Sequence, residues 1–128
     1  MITQKKPDFS GEWVLDRTAC TLSPGADGIQ TSEWRIEHRE PIFRLKATAA
    51  SAAGPVDYEF ELSTQQEGSG LRWDGDALVA NFQVPTPDGE LKISFRYELL
   101  DGRRRLQAVE VLRGPGRQQD NTWLFDRR

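Results

Sequence analysis

A single histidine, His38, and a single cysteine, Cys20, limit the chemistry open to this chain. That is too few for a structural zinc site with its usual four nitrogen and sulfur ligands, and a lone cysteine closes no intrachain disulfide. His38 is the one group that titrates near neutral pH unaided. The alternation Trp34-Arg35-Ile36-Glu37-His38 puts it on the same face as Trp34 and Ile36, which is the apolar one. There it could act as a general base, a proton donor or an axial haem ligand. It could equally be a rim histidine that hydrogen-bonds a neighbour.

Glu110 is the second candidate. A two-residue turn at Asp101-Gly102 pairs Leu100 with Arg103 and sends Leu106, Ala108 and Glu110 inward. A bulged turn sends Val109 and Val111 inward instead. Pairing across the loop Gly114 to Arg117 sets Glu110 opposite Asn121, which favours the inward phase. An inward carboxylate could exchange protons with a bound substrate, or could simply be held by Asn121 or an arginine. Nucleophilic chemistry has less support. Cys20 has no histidine near it in sequence, and Ser10, Ser23 and Ser94 stand in no motif. No glycine-rich phosphate cradle is present. The run Arg103-Arg104-Arg105 beside Asp101-Gly102 reads as a solvated turn.

The elements that must carry these residues are strands. Asp74-Gly75, Asp88-Gly89 and Asp101-Gly102 recur 14 and 13 residues apart, joined by Gly54-Pro55, Gly68-Ser69-Gly70 and Gly114-Pro115-Gly116. Such pairs supply the positive φ of tight hairpins. Between them apolar and polar residues alternate, as in Val56, Tyr58, Phe60 and Leu62, or Leu91, Ile93, Phe95, Tyr97 and Leu99. The pattern predicts nine strands, over 11–16, 29–39, 42–50, 56–64, 70–73, 77–84, 90–100, 104–113 and 118–127, with a short helical turn in the 16–28 connection. The registers agree with one another. Pairing Ala49 with Val56 across the loop Ala50 to Pro55 also sets Lys46 against Glu59 and Arg44 against Glu61 on the outer face.

At 128 residues and 14.5 kDa, with 37% hydrophobic and 29% charged residues, this is one globular domain, 1–128. The net charge of −3 favours neither nucleic acid nor membrane insertion as a partner. No apolar run approaches the roughly 18 residues of a spanning helix. Met1 to Pro7 lacks the apolar core of a signal peptide. The expectation is a soluble, cytoplasmic monomer or homodimer with no cofactor.

Nine amphipathic strands leave exposed edges unless the sheet closes on itself. The first and last strands can pair, which would lay Arg127 over the Trp13 ring at one end of an all-β, closed, antiparallel up-and-down barrel. The inward aromatic and polar residues Trp34, Tyr58, Phe60, Trp73, Phe82, Phe95, Tyr97, Asn121 and Trp123 would then line a site for a small apolar or aromatic molecule, or fill the interior completely.

Three motifs carry a family resemblance: Phe9-Ser10-Gly11-Glu12-Trp13-Val14-Leu15-Asp16, Trp73-Asp74-Gly75 through Leu78, and Trp123-Leu124-Phe125-Asp126-Arg127. Taken in order, they resemble a group of small bacterial lipocalin-like, calycin-type proteins. The resemblance implies a calycin barrel with a cavity and no particular reaction. The chain departs from fatty-acid-binding relatives in having Arg96 and Tyr97 adjacent, and so on opposite faces, where those relatives have an Arg-x-Tyr clamp. The leading functional reading is a binding protein with an aromatic-lined cavity. The alternative is a small enzyme of acid–base chemistry (isomerisation, hydration or cyclisation) using His38 and Glu110.

Overall fold

The computed structural model describes residues 6–24, 26–66, 68 and 70–128. The first five residues, Gly25 of the 16–28 connection and Ser69 of the Gly68-Ser69-Gly70 turn lie outside the described residues.

Period-2 alternation and turn residues yield nine strands: β1 (Gly11–Leu15), β2 (Ile29–Arg39), β3 (Ile42–Ser51), β4 (Gly54–Ser63), β5 (Leu71–Asp74), β6 (Ala77–Thr86), β7 (Gly89–Leu100), β8 (Arg105–Gly114) and β9 (Arg117–Arg127). One turn of 3-10 helix, Arg17–Ala19, follows β1. All ladders are antiparallel, in the order β4-β3-β2-β1-β9-β8-β7-β6-β5. The fold is therefore the all-β, antiparallel, up-and-down arrangement expected from the sequence. Among the described residues no helix is long and apolar enough to cross a membrane.

Most registers follow from the outer-face charges and the turn chemistry. Ala49 faces Val56, Lys46 faces Glu59, and Arg44 faces Glu61, with an Arg44 Nη2 to Glu61 Oε1 contact of 2.7 Å. The hairpin between β3 and β4 is tighter than expected, because Ser51 still pairs with Gly54. The turn at Asp101-Gly102 also differs. Leu100 pairs with Arg105, not with Arg103, and Asp101 and Arg103 both take positive φ in a longer loop. The slip is two residues, so every side chain of β8 keeps its face.

β1 joins β2 to β9, so the first and last strands pair as expected. The break in the ladder lies elsewhere. Among the described residues no strand pairing joins β4 to β5. Side chains span the gap, with Phe60 of β4 meeting Phe82 of β6 edge to face at 5.2 Å and Phe43 of β3 lying 5.3 Å from Tyr97 of β7. The curled sheet is thus closed by backbone at the termini and by aromatic rings opposite.

One end is sealed. The Arg127 guanidinium lies 4.3 Å from the Trp13 ring centroid, donates from Nη1 to the Ser10 carbonyl at 2.9 Å and from Nε to the Arg103 carbonyl at 3.0 Å. Trp13 is fully buried and donates its indole N–H to the Phe9 carbonyl at 3.1 Å. Gly11, at φ +144°, is required beneath this plug, since a Cβ there would stand 2.5 Å from Arg127 Nη1. Arg127→Met, which keeps the stem and removes the charge and donors, should lower the unfolding free energy by about 1–2 kcal/mol in urea titrations. An unchanged midpoint would show the plug to be ornamental.

Candidate functional site: a half-open aromatic cup with one carboxylate

Side-chain size is graded along the inward face. Near the sealed end β2 and β3 present Ile36, His38, Phe43 and Leu45, all buried. Towards the β3–β4 hairpin the inward positions become small, with Ser32, Ala47 and Ala49. A taper of this kind leaves room that large residues further along have filled. The room is a cup of about 150 Å³, open at the end of the β3–β4 hairpin. Trp34, Tyr58, Phe95 and Trp123 provide its aromatic wall, Ile29, Val56 and Phe125 add aliphatic and aromatic surface, and Glu110 is its one ionisable carboxylate. Val56 and Tyr58, although on the inward phase, are 44% and 43% exposed because they stand at the mouth.

Glu110 points inward, and the register explains why: it pairs with Phe95 on one side and Asn121 on the other. Its Oε1 accepts the Asn121 Nδ2 amide at 3.0 Å and the Trp123 indole N–H at 3.1 Å. Asn121 is itself fixed. Its Oδ1 accepts both the backbone N–H and the hydroxyl of Ser23, each at 2.8 Å. This contact and the Thr21–Thr122 bridge dock the 16–28 connection onto β9, beyond the point where β1 ends. The loop therefore positions the amide that positions the carboxylate.

Two tyrosines respond to this environment. Burial pushes the Tyr97 phenol well above its ordinary value, with the charges of Tyr58 and Glu110 adding to the rise. Tyr58 is raised in the same direction by desolvation, then by Glu110, but its open position at the mouth makes Tyr97 the more reluctant to ionise. Cys20 is also raised, chiefly by burial, and its sulfur sits between the Asp16 carbonyl and the Leu124 N–H, an arrangement that does not favour a reactive thiolate.

His38 is placed elsewhere. It lies four residues beyond Trp34 on β2, about 13 Å along the strand, at the sealed end. Its Nδ1 accepts the Phe9 N–H at 3.3 Å, so the proton is on Nε2, which donates to Glu40 Oε1 at 2.8 Å. The same Glu40 oxygen accepts the Trp73 indole N–H at 3.2 Å. Phe9, Phe43 and Trp73 surround the imidazole, with ring centroids 5.6–5.7 Å from it. The expected meeting of His38 and Glu110 around one point does not occur, because alternation fixes the face of a residue and not its height along the strand. Trp34 and Tyr97 meet edge to face at 6.1 Å, and Tyr97 in turn lies 5.3 Å from Phe43 of the His38 cluster.

Of the other residues expected to line the site, Trp34, Tyr58, Phe95 and Trp123 come together at the cup, and Asn121 lies behind Glu110. Phe60 and Phe82 bridge the gap between β4 and β6, Trp73 belongs to the His38 cluster, and Tyr97 packs beneath the cup, stacked on Phe95 at 5.7 Å. Sequence reasoning missed Ser23 and Glu40, which sit outside the alternating runs. It also missed the small residues Ser32 and Ala49, whose size was a readable signal for the mouth.

No family model matches the chain, and no curated protein matches it. Among solved structures it is similar to the siderocalin Ex-FABP, at 14% identity over 94% of this chain and 74% of that one, with a TM-score of 0.45. It is also similar to siderocalin Q83, at 12% identity over 94% and 70% of the two chains, with the same TM-score of 0.45. The first is described as functioning through dual ligand specificities and the second as having a dual ligand binding mode. The fold assignment rests on the strand order itself.

Asn121→Ala removes a donor from Glu110 and strands the Ser23 N–H. It should destabilise the protein by about 2–3 kcal/mol and loosen the 16–28 connection to protease; loss of neither would contradict the docking role. At high pH the sign is set by the tyrosines. A phenol raised in the folded state adds stability below its unfolded value of about 10, and that stability is lost as pH rises above it. Tyrosinate absorbance should therefore reach no more than half its full amplitude until alkaline unfolding begins. Full ionisation in the folded protein would contradict the burial of Tyr97.

Proposed function

We propose that the protein binds a small molecule with an apolar, ring-sized body in the cup between Trp34, Tyr58, Phe95 and Trp123. The observation that carries this reading is the cup itself: an opening of about 150 Å³ that the fold leaves unfilled while the rest of the interior is packed with rings. Ligand sites in barrels of this kind are concave, mostly apolar, and fitted with a few fixed polar groups. A cavity of about 150 Å³ lined by apolar side chains accommodates a molecule of benzene size, and the open mouth lets a longer substituent extend past Val56 and Tyr58.

Acid–base catalysis would have to rely on Glu110 without His38, and the other titrating group at the cup, Tyr58, has its phenol pushed up by burial. Binding is therefore the function supported. The strongest sequence-level argument for catalysis, two polar groups on the inward phase, is satisfied by two separate networks.

The test is a titration with neutral single-ring compounds such as benzyl alcohol. Tryptophan emission should change saturably, and ligand at about 100-fold its Kd should add about 2.7 kcal/mol of stability, raising the Tm. Ala49→Phe, which fills the mouth, should abolish the fluorescence response while leaving the fold intact. Saturable binding that survives Ala49→Phe, or no binding to the parent chain, would overturn the proposal.

A further inference from the structure

We infer that the cup selects organic cations: ligands whose ring-sized apolar body carries a protonated amine that docks on Glu110. The inference rests on the binding proposal above and specifies its ligand class. Four features of the cup converge on it.

The first is charge. Among the described residues that line the cup none is Lys, Arg or His, so its only full charge is the Glu110 carboxylate. The second is how that carboxylate is held. Both donors to Oε1, from Asn121 and Trp123, are neutral N–H groups, and among the described residues no ion pair neutralises Glu110. The network orients the negative charge without cancelling it. Arginines on the neighbouring strands pair with other carboxylates: Arg96 with Asp74 and Glu98, Arg105 with Asp16 and Asp126, and Arg113 with Asp120.

The third feature is the second oxygen. Oε2 of Glu110 makes no hydrogen bond within the described protein, and no buried side-chain oxygen or nitrogen of the described residues lacks a partner. Oε2 is therefore not fully buried, and it gives the residue that lines the cup unused acceptor capacity. A carboxylate in partial burial gains most from a charged donor, because a charge-assisted hydrogen bond is about twice as strong as a neutral one. The fourth feature is the wall. Trp34, Tyr58, Phe95 and Trp123 offer ring surfaces around the carboxylate, and an ammonium is attracted to the negative face of such rings, most strongly to tryptophan. The same surfaces and the uncompensated carboxylate repel an anion of equal size, which would place a second negative charge in a poorly solvated site.

The experiment compares three near-isosteric probes on the full chain at neutral pH by calorimetry: benzylamine, which is protonated, benzyl alcohol, which is neutral, and benzoate, which is anionic. Benzylamine should bind roughly tenfold more tightly than benzyl alcohol, the ratio a charge-assisted hydrogen bond supplies, and benzoate should not bind. Glu110→Gln keeps the shape and an acceptor for Asn121 and Trp123. It should bring benzylamine down to the affinity of benzyl alcohol.

Equal affinities for amine and alcohol, tighter binding of benzoate, or a preference for amine that survives Glu110→Gln would each overturn the cation inference while leaving the binding cup standing. Failure of all three probes would overturn both readings. The order of affinities in the parent chain is itself decisive, so the inference remains testable if Glu110→Gln does not fold.

Discussion

The pairing of the first strand with the last, locked by Arg127 over Trp13, is the constraint on which the rest of the structure depends. Five residues of β1 are all that tie β2 to β9. Without that short strand the curled sheet would have a second break, opposite the gap between β4 and β5. The plug concentrates several costs in one place. It buries a tryptophan completely, satisfies the indole and guanidinium with backbone carbonyls, and demands a glycine where any side chain would collide. In exchange it seals one end with aromatic packing and leaves the other end free to differ.

That asymmetry separates structure from function. Polar groups occur on the inward face at both ends, but they are handled differently. At the sealed end His38 has both ring nitrogens engaged, with Phe9 and Glu40, and Glu40 also holds Trp73. This network is satisfied within the protein and stabilises the packing of Phe9, Phe43 and Trp73. At the open end the network is satisfied on one side only. Asn121, fixed by Ser23, and Trp123 hold one oxygen of Glu110, and the other accepts no hydrogen bond from the described residues. A half-satisfied carboxylate at a mouth is costly for stability alone and useful for recognition.

Much of this was legible in the sequence. Alternation and Asp-Gly spacing placed all nine strands within two residues of their observed ends, the hairpins at Ser51–Gly54 and Thr86–Gly89 being tighter than expected. The inward phase of Glu110 was also readable, because the Gly114–Arg117 connection fixes β8 against β9. The slip at Asp101–Arg104 did not disturb it, since a shift of two residues preserves every face. What alternation cannot encode is height. His38 and Glu110 share a phase and lie at opposite ends, and Tyr58 and Phe43 share a phase with one at the mouth and the other in the core. Contacts made by turn and loop residues, such as Glu40 and Ser23, carry no periodic signal at all.

The central claim is that ligand enters at the Glu110 end and nowhere else, and the four tryptophans provide two reporters for each end. The direct measurement is a two-dimensional nitrogen–proton NMR titration that follows the four indole N–H signals as benzylamine is added. The account requires Trp123, whose N–H is bonded to Glu110, to shift most, Trp34 to follow, and Trp13 and Trp73 at the sealed end to stay in place. Shifts led by Trp73 or Trp13, or none at saturating ligand, would contradict it.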